Sequence, residues 1–83
     1  MTNRQEVFDA IRDHLSGRGV DASAVVPAAE LLRDLDLDSL DTMELTLGLE
    51  ERFGVEIPDQ ELEGLVTVAD AVDLIERKLV VGA

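Results

Sequence analysis

Apolar residues in the first part of the chain recur at the spacing of an α-helix. Val7, Ile11 and Leu15 lie four residues apart, which places their side chains on one side of a helix. This pattern predicts a first helix over residues 4–16, which Gly17 ends. The first predicted element is therefore an amphipathic helix with one side for a core.

Residues 17–37 form a long connection to the next periodic segment. Apolar side chains continue through it without a helical period, and Pro27 excludes a long helix. Loops of this length are uncommon inside compact domains. We therefore expect the apolar residues to hold the loop against the core, with a short turn near residues 28–32.

A second helix is predicted over residues 39–53, and it carries apolar side chains on two sides. Asp38 is a suitable N-cap, with Asp41 three residues later as in a capping box. The stripe expected to face the core consists of Leu45, Leu49 and Phe53. A second stripe, interleaved with acidic residues, consists of Leu40, Met43 and Leu47. This helix therefore has more apolar surface than one core requires.

Two further helices complete the predicted fold. A short third helix is expected near residues 59–62, and Thr67, with Asp70 three residues on, caps a last helix. The buried stripe of that last helix consists of Val68, Val72, Ile75 and Leu79. The pattern predicts an all-α fold, a small four-helix bundle with a long loop between helices one and two. We expect a single domain over residues 1–83, in which residues 80–83 form a frayed tail.

The charge of the chain is strongly acidic and unevenly placed. Its 83 residues include 19 acidic and 7 basic side chains, for a net charge of −12. Residues 34–63 hold eleven acidic side chains against Arg52 alone, and so carry −10 of that total. An acidic surface does not bind the phosphate backbone of nucleic acids, which requires an excess of Lys and Arg.

Several classes of protein are excluded by residues that the sequence lacks. Without cysteine there is no disulfide framework, zinc–thiolate site or thiol nucleophile. The single histidine, His14, cannot build a metal site alone, and we interpret it as a solvated residue of the first helix. Neither an 18-residue apolar stretch nor an apolar leader is present. We expect a soluble, cytoplasmic and monomeric protein without a membrane span.

The acidic run at residues 34–38 invites comparison with a calcium-binding loop. An EF-hand needs Gly at its sixth position and Glu at its twelfth. Counted from the first aspartate of the run, those positions hold Ser39 and Leu45. We therefore expect no specific metal site, with Leu35 and Leu37 pointing inward. Acids on an exposed helix also lack the cleft that acid–base catalysis requires, so no catalytic residue is assigned.

Ser39 is the residue best suited to covalent chemistry. The chain has three serines, and Ser39 alone opens a helix. Its hydroxyl is expected beside the free backbone N–H groups of the helix start, which suit a covalently attached phosphate. The alternative is that Ser39 is an ordinary first residue of a helix.

The residues around Ser39 are similar to a known attachment motif. The phosphopantetheine attachment site of acyl carrier proteins resembles an eight-residue run of this chain, Asp38-Ser39-Leu40-Asp41-Thr42-Met43-Glu44-Leu45. The resemblance continues through residues 49–59 and resumes at residues 67–72. An isolated Asp-Ser-Leu triplet would be a weak signal, whereas this ordered series covers nearly the whole chain and is specific.

The resemblance implies that the protein is a carrier and not an enzyme. A phosphopantetheinyl transferase would move 4′-phosphopantetheine from coenzyme A onto the Ser39 hydroxyl, with Asp38 and Leu40 flanking the cofactor. The thiol of this arm would carry acyl intermediates as thioesters to enzymes of fatty-acid or polyketide synthesis. The missing cysteine agrees with a thiol that is imported.

The resemblance also gives the second stripe of helix two a function as a docking surface. Acyl and ketoacyl synthases and other pathway enzymes would approach it with basic patches, steered by the acidic charge. The residues expected to bind partners are Asp36, Asp41, Met43, Glu44, Leu47, Glu50 and Glu51.

Two positions depart from the family pattern, and two other functions stay open. Asp36 stands where the family commonly has Gly, which adds a charge and could change the local turn. Gly48 stands where many members have Ala, which could permit closer packing or leave room for an acyl chain. The alternative functions are an acidic helical interaction module without a cofactor and a specialised aminoacyl or peptidyl carrier.

Overall fold

The computed structural model describes residues 3–81, with side chains up to Leu79. Within this range the backbone forms four α-helices and one 3-10 helix, and its β-structure is limited to one isolated bridge between Glu30 and Thr67. The α-helices are α1 (Arg4–Gly17), α2 (Ser39–Phe53), α3 (Asp59–Leu62) and α4 (Val68–Val81), and the 3-10 helix is η1 (Ala22–Ala24). The predicted all-α bundle, with a long first loop and a short third helix, is confirmed.

The first helix supplies one side of the core. Asn3 caps it, because its side-chain oxygen accepts a hydrogen bond from the Glu6 backbone N–H at 2.9 Å. The predicted stripe of Val7, Ile11 and Leu15 is completely buried. Helix α1 packs mainly against α4 and to a lesser extent against α2.

The long loop between α1 and α2 is held against the start of α4, as its apolar content predicts. The Leu31 backbone N–H donates to the Val66 carbonyl at 2.9 Å, and the Val68 N–H donates to the Ala29 carbonyl at 3.0 Å. Leu31 is fully buried among the helices. Turns at residues 27–28 and 31–34 overlap the predicted turn, while η1 is an additional element that the pattern did not indicate.

The last helix begins with the predicted reciprocal cap and buries the predicted stripe. The Asp70 N–H donates to the Thr67 hydroxyl at 3.1 Å, and the Thr67 N–H donates to the Asp70 carboxylate at 3.0 Å. The hydrogen bond from the Thr67 backbone, aided by one from Val66, lowers the pKa of Asp70. The buried side chains include Val68, Val72 and Ile75, and Leu79 packs partly buried against them.

The tail predicted to fray, residues 80–83, begins within the last helix. Helix α4 continues through Val81, and residues 82–83 lie outside the described range. The last turns are favourable to a helix, because Arg77 and Lys78 place cations near its carboxyl end. Lys78 also forms an ion pair with Glu61, which ties these turns to α3.

Candidate functional site

The amino end of α2 is fixed by a reciprocal pair of hydrogen bonds. The Asp38 carboxylate accepts from the Asp41 backbone N–H at 2.8 Å, and the Asp41 carboxylate accepts from the Asp38 N–H at 3.2 Å. The Thr42 hydroxyl adds a bond of 3.1 Å to the Asp38 carbonyl. The predicted capping box is therefore present, and it makes Ser39 the first residue of the helix.

Ser39 is exposed, and its hydroxyl has no hydrogen-bond partner among the described residues. The other two serines differ from it. Ser23 is also exposed, but its hydroxyl donates to the Asp21 carboxylate at 2.8 Å. Ser16 lies in the last turn of α1. Of the three serines, Ser39 alone combines an accessible hydroxyl with the amino end of a long helix.

The loop that leads to Ser39 alternates between buried leucines and exposed aspartates. Leu35 and Leu37 are buried, as predicted, while Asp34 and Asp36 face solvent. The Leu37 N–H donates to the Leu31 carbonyl at 3.1 Å, which holds the loop against the core. The acidic run therefore points away from the core directly before the helix begins.

Asp36 has a backbone conformation that glycine normally adopts. Its φ angle of 55° is in the left-handed region, and no other non-glycine residue within 3–81 has a positive φ. Aspartate tolerates this region better than most residues, but at a conformational cost that glycine does not have. Asp36 therefore adopts a turn conformation under strain that glycine would adopt without it.

Helix α2 has a buried side and an exposed apolar side, as its two stripes predict. Leu45 and Leu49 are buried, and Phe53 is partly buried. The second stripe is strongly exposed, with 61% of Leu40, 46% of Met43 and 53% of Leu47 accessible to solvent. We define these three residues as the apolar stripe of α2. It begins directly after Ser39.

The acidic residues beside the apolar stripe fall into two groups. Asp41 and Glu44 both form ion pairs with Arg18, which lies at the carboxyl end of α1. The Glu50 carboxylate accepts a hydrogen bond of 2.8 Å from the Ile57 N–H and so holds the segment after α2. The second group comprises Asp36 and Glu51, which are exposed and have no ion-pair or hydrogen-bond partner within the described part of the chain.

The hydrogen bonds around Asp41 also stabilise its charge. The bond from the Asp38 backbone N–H, followed by the one from the Arg18 guanidinium, lowers the pKa of Asp41. The same contact with Asp41 raises the pKa of Arg18. Both groups are therefore charged at neutral pH, and the start of α2 presents an ion pair as well as free carboxylates.

His14 is not the solvated residue that the sequence analysis expects. It is half-buried, its Nε2 atom is buried without a hydrogen-bond partner in the described structure, and its ring lies against Gly48 of α2. A Cβ atom at position 48 would lie 2.9 Å from His14 Nδ1. The missing side chain of Gly48 thus gives room to the imidazole, which occupies the space beside it.

Sequence reasoning missed Arg18 and the His14–Gly48 contact because each joins two separate helices. It also missed Thr46, which is buried on α2 and whose hydroxyl donates to the Met43 carbonyl at 2.7 Å.

No group of three or more His, Cys, Asp or Glu residues within the described range could hold a metal ion. In the same range, no helix is long and apolar enough to cross a membrane.

Comparison with known proteins gives these features a common context. The family model described as "Phosphopantetheine attachment site" matches residues 9–75, which include the start of α2. The chain is 47% identical over 81 residues to an acyl carrier protein of Thermosynechococcus vestitus, which covers 93% of this chain and 96% of that protein. The chain belongs to the acyl carrier protein family. The cofactor of this acyl carrier protein is therefore a covalently attached 4′-phosphopantetheine.

Two further relatives agree with this assignment. An acyl carrier protein of Rubrobacter xylanophilus is 47% identical over 74 residues, which are 88% of this acyl carrier protein and 91% of the relative. A solved structure of the acyl carrier protein from Enterococcus faecalis, described for its high thermal stability, superimposes with a TM-score of 0.78. It is 35% identical, and the match covers 93% of this chain and 99% of that one. The alternative of an acidic interaction module without a cofactor is therefore set aside.

Proposed function

We propose that Ser39 carries the 4′-phosphopantetheine of this acyl carrier protein. The observation that supports the proposal is an exposed serine hydroxyl without a partner, at the amino end of a capped helix. The backbone N–H groups in the first turn of such a helix favour the negative charge of the attached phosphate. Asp38 fixes the helix start and Leu40 lies directly after the attachment point, so both flank the arm.

The attachment is a transfer from coenzyme A catalysed by a phosphopantetheinyl transferase. The Ser39 oxygen forms a phosphoester bond to the phosphorus that carries the pantetheine arm, and the pyrophosphate bond of coenzyme A breaks. Adenosine 3′,5′-bisphosphate leaves with the electron pair, and the hydroxyl proton passes to a base of the transferase. The thiol at the end of the arm then carries acyl groups as thioesters, so the protein supplies position and recognition.

Intact-protein mass spectrometry after incubation with coenzyme A and a transferase tests the attachment site. The wild type is expected to gain one phosphopantetheinyl group. Ser39→Ala is expected to gain none and to keep its helical circular dichroism, since position 39 is exposed. Ser23→Ala is the matched control and should load like the wild type. Loading of Ser39→Ala, or loss of loading in Ser23→Ala, would contradict the assignment.

The apolar stripe of α2 is the docking surface in this proposal. Leu40, Met43 and Leu47 expose apolar area beside the arm that a folded monomer does not use. Acidic side chains border the stripe and raise the rate of encounter with basic partners. The acidic members of this surface are Asp36, Asp41, Glu44, Glu50 and Glu51, and their roles differ according to the contacts described above.

Single substitutions in the stripe test docking separately from folding. Met43→Ala and Leu47→Ala are each expected to lower kcat/KM for the transferase by roughly tenfold, as for a central interface side chain. Val26→Ala is the control, because Val26 is also apolar and 47% exposed but lies next to Pro27, whose carbonyl accepts a hydrogen bond from the Ala69 N–H of α4. If Val26→Ala lowers kcat/KM as much as Leu47→Ala does, the stripe is not the docking surface.

The finer function in this proposal is that of a cytoplasmic, monomeric carrier, consisting of a single acyl-carrier domain and without a catalytic site of its own. Its partners are the transferase and the acyl and ketoacyl synthases of fatty-acid or polyketide synthesis. An aminoacyl or peptidyl carrier is the alternative within the same chemistry. Mass spectrometry of the protein loaded in its native cell distinguishes these, because the thioester-bound group identifies the pathway.

A further inference from the structure

We propose that Arg18 is a specificity-determining residue that occupies part of the docking surface from within the molecule. It holds Asp41 and Glu44 in an internal ion pair, so that a basic partner must displace Arg18 before it can contact these two acids. This inference rests on the proposed function of α2 as a docking helix. It goes beyond that function because it names an internal competitor for the partner.

The geometry places Arg18 across the gap between two helices. Arg18 is the C-cap of α1, where its backbone N–H donates to the Leu15 carbonyl. One of its guanidinium nitrogens donates to the Asp41 carboxylate at 2.9 Å, and the other donates to Glu44. Asp41 and Glu44 lie one turn apart on α2, which suits the fork of a single guanidinium group. The cap thus fixes the start of the Arg18 side chain and the acids fix its end.

No other cation within residues 3–79 has an ion pair with an acidic residue of α2. Arg4 pairs with Asp73 and Glu76 on α4, Arg12 pairs with Asp9 on its own helix, and Lys78 pairs with Glu61. Arg18 comes from outside the acidic segment 34–63, which has only Arg52 as a base. It therefore compensates part of the negative charge at the start of α2, close to Ser39 and beside Met43, and leaves the acids further along uncompensated.

The partial exposure of this contact makes it displaceable. The side chains of Arg18, Asp41 and Glu44 are 37%, 29% and 38% exposed. Ion pairs at such accessible positions contribute little to stability, because water and salt compete with them. A partner that brings its own Lys or Arg can take over the two carboxylates, whereas a partner without them meets a pair of acids whose charge Arg18 has halved. The contact therefore reduces the advantage that basic partners have over other partners at the start of α2.

The consequence is that removal of Arg18 should strengthen docking while it weakens the α1–α2 connection. Arg18→Gln frees two carboxylates beside the apolar stripe and adds one unit of net negative charge. Both changes increase electrostatic steering of a basic partner. Arg12→Gln is the matched control, since it makes the same change in net charge on the same helix but frees only Asp9, away from α2.

The test compares the two variants with the wild type in binding of the transferase and in loading from coenzyme A. Arg18→Gln is expected to raise the association rate and kcat/KM about threefold to tenfold at low salt, with a steeper loss as salt increases. Arg12→Gln should stay within about twofold of the wild type. Arg18→Lys, which keeps the charge without the guanidinium fork, should fall between the wild type and Arg18→Gln.

Two results would overturn the proposal. One is that Arg18→Gln binds like Arg12→Gln, which would make the effect one of net charge. The other is that Arg18→Gln binds more weakly, which would give Arg18 a direct attractive contact with the partner. Circular dichroism confirms folding of each variant. Binding of the transferase measured without coenzyme A tests the role of Arg18 independently of modification at Ser39. An absence of modification at Ser39 would therefore be a separate outcome.

Discussion

Helices α2 and α4 have similar lengths and similar caps, but they use their apolar residues differently. Each begins with a reciprocal capping box, Asp38 with Asp41 in α2 and Thr67 with Asp70 in α4. Up to Leu79, α4 has no strongly exposed large apolar side chain. Helix α2 buries one stripe and exposes a second one of three large side chains.

The difference supports the proposal that α2 has a function outside the fold. Apolar area on α4 is removed from water by α1 and the loop, and it stabilises the monomer. The exposed stripe of α2 stabilises nothing in the monomer and leaves apolar surface in water, beside the serine that we propose as the attachment site of the cofactor. Together with its acidic neighbours, it fits a surface that partners bind briefly and release.

The largest expected effect is the difference in stability between variants at buried positions and a variant in the apolar stripe. Leu45→Ala in α2 and Ile75→Ala in α4 remove fully buried side chains and should each lower the free energy of unfolding by about 2–5 kcal/mol. Leu47→Ala removes an exposed side chain and should change it by less than about 0.5 kcal/mol. Thermal unfolding followed by circular dichroism measures these changes in stability, because the chain has no Trp to report unfolding by fluorescence. If Leu47→Ala lowered the free energy of unfolding as much as Leu45→Ala does, the division of α2 into a buried and an exposed stripe would be wrong.

A smaller effect tests whether the two helices differ in their caps. Asp70→Ala should lower stability at pH 7 by about 1 kcal/mol, because it removes the acceptor for the Thr67 N–H. The lowered folded-state pKa of Asp70 means that its stabilising effect is complete above the unfolded value of about 3.9. That effect is lost as the pH falls through the lower folded value.

The same sign applies to Asp41, whose pKa is also lowered. Unfolding curves from pH 7 to pH 2 should therefore show the wild type and Asp70→Ala converging below about pH 4. The stability of Asp41→Ala should also approach that of the wild type as the pH falls, since Asp41 and Asp70 hold the same position in their capping boxes. A constant difference between Asp70→Ala and the wild type down to pH 2 would contradict the role of the charged carboxylate.

The approach to α2 contains strain that the approach to α4 lacks, and this can be relieved. Asp36→Gly should raise the free energy of unfolding by roughly 0.5–1 kcal/mol, because glycine adopts a φ of 55° without a steric cost. Asp36→Asn separates charge from conformation, since it removes the charge and keeps a side chain that tolerates the left-handed region. Equal stability gains in both variants would show that repulsion, not backbone strain, is the cost at this position.

The smallest expected effect concerns the contact between α1 and α2, and its sign depends on His14. In the wild type, Gly48→Ala forces the imidazole to move, because the new Cβ would lie 2.9 Å from Nδ1. In a His14→Ala background the same change should stabilise the helix by about 0.5–1 kcal/mol. A double-mutant cycle of thermal unfolding measures the coupling. If Gly48→Ala changes the free energy of unfolding equally in both backgrounds, the position of the His14 imidazole does not depend on the missing side chain of Gly48.

The helices could be predicted from the sequence because their signals are local. Spacing of Val7, Ile11 and Leu15 defines one side of one helix, and a cap such as Asp38 defines where a helix starts. The exposed stripe was predictable for the same reason, since two apolar sides on one helix exceed what a small core can bury. The choice of Ser39 as the candidate attachment residue follows from the helix start and from the order of the residues around it.

The contacts between elements could not be predicted, because periodicity does not specify which residue a side chain meets on another helix. His14 was expected in water and lies instead on Gly48, where a missing side chain on α2 makes room. Arg18 is close to the acids of α2 only because the carboxyl end of α1 meets the amino end of α2. The ion pair of Lys78 with Glu61, which joins the last helix to α3, is another contact that periodicity does not specify.

Peptide mapping of the loaded protein tests the central claim most directly, because it locates the cofactor on one side chain. Trypsin cleaves after Arg33 and Arg52, so the start of α2 is released as residues 34–52, whereas Ser23 is released in residues 19–33. Fragmentation of the first peptide separates Ser39 from Thr42 and Thr46. We expect the phosphopantetheinyl group on Ser39 alone. Its presence on the peptide 19–33, or on either threonine, would contradict the account.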